Sequence, residues 1–193
     1  MSRRLPRSFY TRPTLVVARD LLGKYLVHVQ GGRTRRGKIV ETEAYIGPQD
    51  RAAHSFGGRR TDRTRIKYEQ GGSVYIYLVY GMYWQLNITT AGKEEPECVL
   101  IRALEVDGES SAVANGPGKL CRWMKLDKSF YGEDLTRSSR LWVEDRSDRV
   151  RRKDIVTSPR VGIDYAGPVW AAKPWRFCLR GNPAVSKPWP RPT

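Results

Sequence analysis

The hydrophobic and polar positions of the chain fall mostly into short runs of strand character broken by glycine, with helical spacing in only two places. Pro13 to Leu22 reads as an amphipathic helix with proline near its start and Gly23 as its stop. Tyr25–Gln30 and Lys38–Tyr45 read as strands, and the glycine- and arginine-rich segment between them, Gly31 to Gly37, is expected to be a solvated loop. Charges crowd together from Asp50 to Gln70, so loops or short helical turns are expected there. Val74–Val79, Tyr83–Thr90 and Cys98–Val106 are rich in β-branched and aromatic residues, as an antiparallel meander requires. A short helix is predicted over Leu120–Lys125, and further strands over Leu141–Glu144, Arg160–Tyr165 and Arg176–Leu179. The fold class is α+β, in one domain spanning residues 1–193, with 1–8 and 186–193 as loose tails.

Composition narrows the function. The 35 Lys and Arg residues against 20 Asp and Glu leave a net charge of +15, which makes a polyanion the first partner to consider. Cys98, Cys121 and Cys178 form no CxxC pair and are odd in number, against a zinc ribbon, an iron–sulfur site or a disulfide framework. Met1-Ser2-Arg3-Arg4 begins no signal peptide, and no apolar stretch of about 18 residues exists to span a bilayer, so a soluble, cytoplasmic protein without membrane partners is expected.

Candidate chemistry starts in Ile39-Val40-Glu41-Thr42-Glu43-Ala44-Tyr45, where a period of two puts Glu41, Glu43 and Tyr45 on one face. A solvent-facing edge would look the same, but the Gly47-Pro48 turn that follows lets a loop carrying Asp50 and His54 fold over the strand end. The spacing of Glu41, Glu43, Asp50 and His54 matches no metal motif, so metal-free acid–base chemistry is expected, with no cofactor. Arg102 lies inside an apolar strand and needs a carboxylate or carbonyl partner, which Glu41 or Glu43 can supply. Tyr75 and Tyr77 share a face, whereas Tyr80 sits at a glycine turn, exposed and suited to wedging between base pairs.

These blocks, in order, resemble the alkyladenine (3-methyladenine, or N-methylpurine) DNA glycosylase family: Ile39 to Pro48, Ala52-Ala53-His54-Ser55, Tyr80-Gly81-Met82-Tyr83, Asn87-Ile88, Val99 to Glu105, Gly116 to Cys121, Asp127 to Phe130, Arg160-Val161-Gly162 and Lys173 to Phe177. The resemblance implies a curved antiparallel sheet, close to an open barrel, flanked by helices. It implies base excision repair by a monomer on duplex DNA, in the cytoplasm at the bacterial nucleoid. A damaged purine would be flipped out, its N-glycosidic bond hydrolysed by water that Glu43 activates, and that water positioned by Arg102 and the backbone near His54 and Val161. Tyr45 and His54 on one side and Tyr77 on the other would sandwich the base, their electron-rich faces favouring cationic methylated purines. Asn87 would reject the guanine amino group, and Tyr80 would fill the gap in the helix. Arg59, Met82, Tyr83, Gly118, Lys119 and Lys128 would lie near phosphates, with Arg60, Arg63 and Arg65 adding field.

The chain departs from the family pattern at Lys67-Tyr68-Glu69-Gln70-Gly71-Gly72, in place of a Met-Phe-x-Lys-Pro-Gly approach, and in the short linker Val106 to Asn115. Both departures bear on lesion range and secondary DNA contacts. Two other functions fit the same composition: a glycosylase with lyase activity, which needs a lysine at the sugar, and a non-catalytic nucleic-acid-binding protein.

Overall fold

The computed structural model describes residues 2–187. The chain opens with β1 (Arg3–Arg4), a single turn α1 (Arg7–Tyr10) and α2 (Thr14–Asp20), then forms the hairpin β2 (Tyr25–Gln30) and β3 (Arg33–Tyr45). A loop with two 3₁₀ turns leads to β4 (Val74–Val79), β5 (Tyr83–Thr90) and β6 (Glu97–Glu105). Helix α3 (Pro117–Met124), β7 (Leu141–Asp145), β8 (Ile155–Ser158), α4 (Pro168–Ala171) and β9 (Arg176–Leu179) follow.

The nine strands of the described residues join one antiparallel sheet in the order β1-β7-β2-β3-β6-β5-β4, with β9 pairing β3 and β8. It curls into a half-barrel, so the expected α+β class with an open-barrel sheet is what the chain adopts. The main core includes Leu26, Ile39, Leu86, Ile88, Ile101, Leu104, Leu120 and Met124, all at most 1% exposed, and α2 and α3 pack onto the sheet over β3 and over β5–β6. Burial of this apolar surface is the main force holding helices to sheet.

Strand β3 positions the site. Its first half pairs with β2 and residues 41–43 pair with β9, while β6 runs along the opposite edge of the strand. The β3–β6 register shifts twice within three residues: Ile39 faces Leu104, Glu41 faces Ala103 and Thr42 faces Ile101. Val40 is thus extra on one strand and Arg102 extra on the other. Such paired irregularities re-aim side chains locally while restoring the register beyond, and they fall where Glu41 and Arg102 meet.

Five sequence expectations need correction. The loop expected over Gly31–Gly37 is only the turn Gly31-Gly32, both at positive φ; Arg33 to Gly37 already pair with β2, because a two-glycine turn closes a tight hairpin. Arg160–Tyr165 is not a strand: Gly162 at φ 73° breaks the extended path, and strand pairing occurs earlier, in β8. Residues 1–8 are not a loose tail where described, since β1 pairs with β7 and Arg7 bonds Asp134 and the Gly71 carbonyl. Ser186, placed in the other tail, is 3% exposed and bonded to Glu41; residues 188–193 lie outside the described part. The second helix begins at Pro117 rather than Leu120, proline suiting a first turn that needs no N–H, and Lys125 caps it in the left-handed region.

Candidate active site

Glu41 and Glu43 are both completely buried, which excludes the solvent-edge reading of β3. Glu41 is saturated. Its Oε1 accepts from Arg102 Nε at 2.8 Å, Arg176 Nε at 2.7 Å and Ser186 Oγ at 3.0 Å, and its Oε2 accepts from the Ser186 amide at 2.7 Å. Two guanidiniums and a serine fix this carboxylate as a structural anchor.

Glu43 is held more lightly. The Val161 amide donates to its Oε1 at 2.8 Å, Tyr45 Oη donates to its Oε2 at 2.8 Å, and Arg102 Nη1 lies 3.4 Å from Oε1. Since a carboxylate oxygen has two lone-pair directions, Oε2 retains room for a further donor such as water. Arg102 therefore bridges both acids, which answers which of them partners it. Burial alone lowers the Arg102 pKa, but Glu43 and then Glu41 raise it above its usual value, so the guanidinium stays charged. Burial, reinforced by Glu43, pushes the Tyr45 phenol well above its usual range and keeps it a proton donor.

A cavity of about 480 Å³ opens beside these groups. Tyr45, His54, Tyr77, Asn87, Arg102 and Val161 line it and Tyr80 stands at its rim, so the structure brings all these sequence-predicted residues together. Glu43 itself lies behind the wall formed by Tyr45, Arg102 and Val161, which touch both it and the cavity.

The loop after β3 does carry His54 over the strand end, and a buried ion pair secures it. Asp50 accepts the Ala52 amide at 3.0 Å and Arg160 Nη2 at 2.9 Å, with both side chains fully buried. The Arg160 guanidinium also lies 4.6 Å from the Tyr45 ring centroid and so backs the tyrosine against the cavity. His54 Nδ1 is 2.8 Å from Tyr75 Oη and Arg63 donates towards Nε2 at 3.4 Å; a neutral imidazole protonated on Nδ1 satisfies both contacts. Its pKa is lowered to about 4, first by burial and then by Arg63 and Lys67.

The expected slot between His54 and Tyr77 is closed in this structure. Their ring centroids are 4.7 Å apart at 77°, edge to face, whereas a purine stacked between them needs about 7 Å, twice a van der Waals contact. Admission of a base therefore requires one ring to turn. Asn87 is 1% exposed and donates to the Gln85 carbonyl at 3.3 Å.

Tyr80 is 87% exposed at the tip of the β4–β5 hairpin, with φ 52° beside Gly81 at φ 69°. Met82 and Tyr83 are exposed next to it, and Gly118 of α3 packs so closely on Tyr83 that a Cβ would come within 2.9 Å of the ring. Arg59, Lys119 and Lys128 are exposed outside the cavity, with Lys119 bonded to Asn115 at 2.8 Å. The sequence reading missed the anchoring roles of Arg160, Arg176 and Ser186, as well as the place of Arg63 and Lys67 in the cavity wall. Among the described residues, no group of three or more His, Cys, Asp or Glu is arranged to hold a metal, and no helix is long and apolar enough to cross a membrane.

The family model described as Methylpurine-DNA glycosylase (MPG) matches residues 8–183. With this fold and cleft, that match places the protein among the DNA glycosylases, hydrolases of DNA repair whose substrate partner is DNA. The chain belongs to the methylpurine-DNA glycosylase family. It is 45% identical to a protein of Desulfitobacterium hafniense (strain Y51) over 95% of this chain and 98% of that one. It is 47% identical to a protein of Methanocella arvoryzae over 95% and 96%, and 47% identical to one of Anaeromyxobacter dehalogenans (strain 2CP-1) over 97% and 87%. All three carry the name "Putative 3-methyladenine DNA glycosylase".

Proposed function

We propose that this chain, acting as a monomer, flips alkylated or deaminated purines such as 3-methyladenine and hypoxanthine out of duplex DNA and hydrolyses their N-glycosidic bonds. The observation that carries this reading is the placement of Glu43, buried behind an aromatic cavity yet with a free lone-pair direction on Oε2. Water bound there adds its oxygen to the anomeric carbon while the bond to the purine nitrogen breaks, and a water proton passes to Glu43. Arg102 and the Val161 amide hold the carboxylate in place, and the carboxylate opposes the positive charge that develops on the sugar. His54 or Tyr77 turns to admit the base, Asn87 meets its edge, and Tyr80 takes its place in the helix.

Single-turnover release of hypoxanthine and 3-methyladenine from defined duplexes tests this. Glu43→Gln is expected to slow release by about 100-fold or more while leaving duplex binding intact. Equal rates for variant and native chain would remove Glu43 from the reaction. Lys67 lines the cavity and donates to Ser55 Oγ at 2.7 Å, and borohydride is expected to trap no covalent adduct.

A further inference from the structure

The 3₁₀ turn Arg65–Tyr68 buries Lys67, which is 1% exposed and lines the cavity. Its ammonium donates to Ser55 Oγ at 2.7 Å, and that hydroxyl donates onward to the Pro96 carbonyl at 2.9 Å. Among the described residues no carboxylate lies within ion-pair distance of it, Glu97 feeling its charge only from farther off. A buried cation without an anionic partner is costly to keep, and nothing in the hydrolytic step uses it.

A second cation stands at the mouth. The Arg63 guanidinium lies 4.7 Å from the Tyr77 ring centroid and 3.4 Å from His54 Nε2, while the Lys67 ammonium is 5.8 Å from the Tyr75 ring centroid. The Tyr77 face expected to attract a positively charged base is therefore already occupied by Arg63, and Lys67 adds a second positive charge over the neighbouring Tyr75. The imidazole between them reports this field, its pKa held near 4 by burial and then by these two cations.

We infer that Lys67, seconded by Arg63, is a specificity-determining residue that tunes this pocket towards neutral lesion purines and against cationic methylated ones. The inference rests on the glycosylase reading above. Guanine methylated at N7 and adenine methylated at N3 carry a full positive charge while attached to deoxyribose; hypoxanthine does not. Inside a partly dry cavity, a cationic base meets two like charges and enters less readily. A neutral purine gains at the other end of the reaction. When its bond to the sugar breaks, the electron pair stays on the purine, water oxygen bonds to the anomeric carbon, and the purine nitrogen finally takes up a proton from solvent. Until that proton arrives the departing ring is negative, and Lys67 and Arg63 stabilise it. A cationic purine departs neutral and draws no such benefit. Both effects move selectivity in the same direction.

The test compares single-turnover release from two duplexes of one sequence, one holding hypoxanthine and the other 7-methylguanine, by the native chain, Lys67→Met and Arg63→Gln. Methionine keeps the length of the side chain without its charge. The ratio of hypoxanthine to 7-methylguanine rates is expected to fall about tenfold or more in Lys67→Met, and in the same direction by a smaller factor in Arg63→Gln. A ratio cancels changes in fold population and in general DNA affinity, which affect both duplexes alike. If Lys67→Met does not fold, as judged by its thermal melt, the exposed Arg63 site decides. Ratios that stay within about twofold of native, or that rise, overturn the selectivity while leaving the glycosylase reading in place. Release of neither base by the native chain would overturn both.

Discussion

Glu41 and Glu43 stand two residues apart on β3, both fully buried, and Arg102 binds them unequally: Nε lies 2.8 Å from Glu41 and Nη1 lies 3.4 Å from Glu43. The inequality fits Glu41 for holding the fold and leaves Glu43 for the proposed chemistry. Glu41→Gln leaves Arg102 and Arg176 short of their shared counter-charge, at a cost of about 3 kcal/mol or more. For a chain of this size that lowers Tm by roughly 6–12 °C. Glu43→Gln is expected to melt within a few degrees of native, because Glu41 still pairs with Arg102. Calorimetry on the two variants checks the division, and equal destabilisation would contradict it.

Tyr80 touches little of its own protein, so Tyr80→Ala is expected to leave the melting temperature unchanged. A fluorescent base analogue opposite the lesion should report extrusion weakened by about tenfold or more, with salt-dependent binding to undamaged duplex preserved. Equal losses in both measurements would refute the wedge.

His54 gives a pH dependence of defined sign. Its pKa falls from an ordinary 6.5 to about 4 on folding, so between those values the unfolded chain holds a proton that the folded chain lacks. Stability from this group is complete above pH 6.5 and is lost as pH falls towards 4, by on the order of 3 kcal/mol. Ring-proton NMR should show a neutral His54 at pH 5.5. A midpoint near 6.5 would mean that the imidazole is neither buried nor in the field of Arg63 and Lys67.

Asn87 presents its amide to the cavity from a fully packed position. Replacing it with serine removes bulk and one donor, and Asn87→Ser is expected to raise release of guanine lesions relative to hypoxanthine by about tenfold. Unchanged selectivity would assign the purine-edge filter elsewhere.

Much of the sheet was legible because alternation is a local signal: β2, β4 and β5 have the bounds their sequences predict. Glu43, Tyr45 and Tyr77 were legible for the same reason, lying on strands whose period fixes their faces. What escaped depends on closure across long sequence separations. Nothing near Asp50 announces that Arg160 will take it as partner, and nothing near Lys67 says that a lysine in a charged loop will be buried against Ser55. The edge-to-face contact of His54 and Tyr77 is likewise a property of two elements meeting, invisible in either alone.

Ser186 gives the anchor around Glu41 a temporal order. The clamp draws on residues 41, 102, 176 and 186, so it stays open on a nascent chain until residue 186 has left the ribosomal tunnel. A growing chain whose earlier strands have already paired thus still holds Glu41 without its full set of donors, and the clamp closes only when Arg176 and Ser186 arrive.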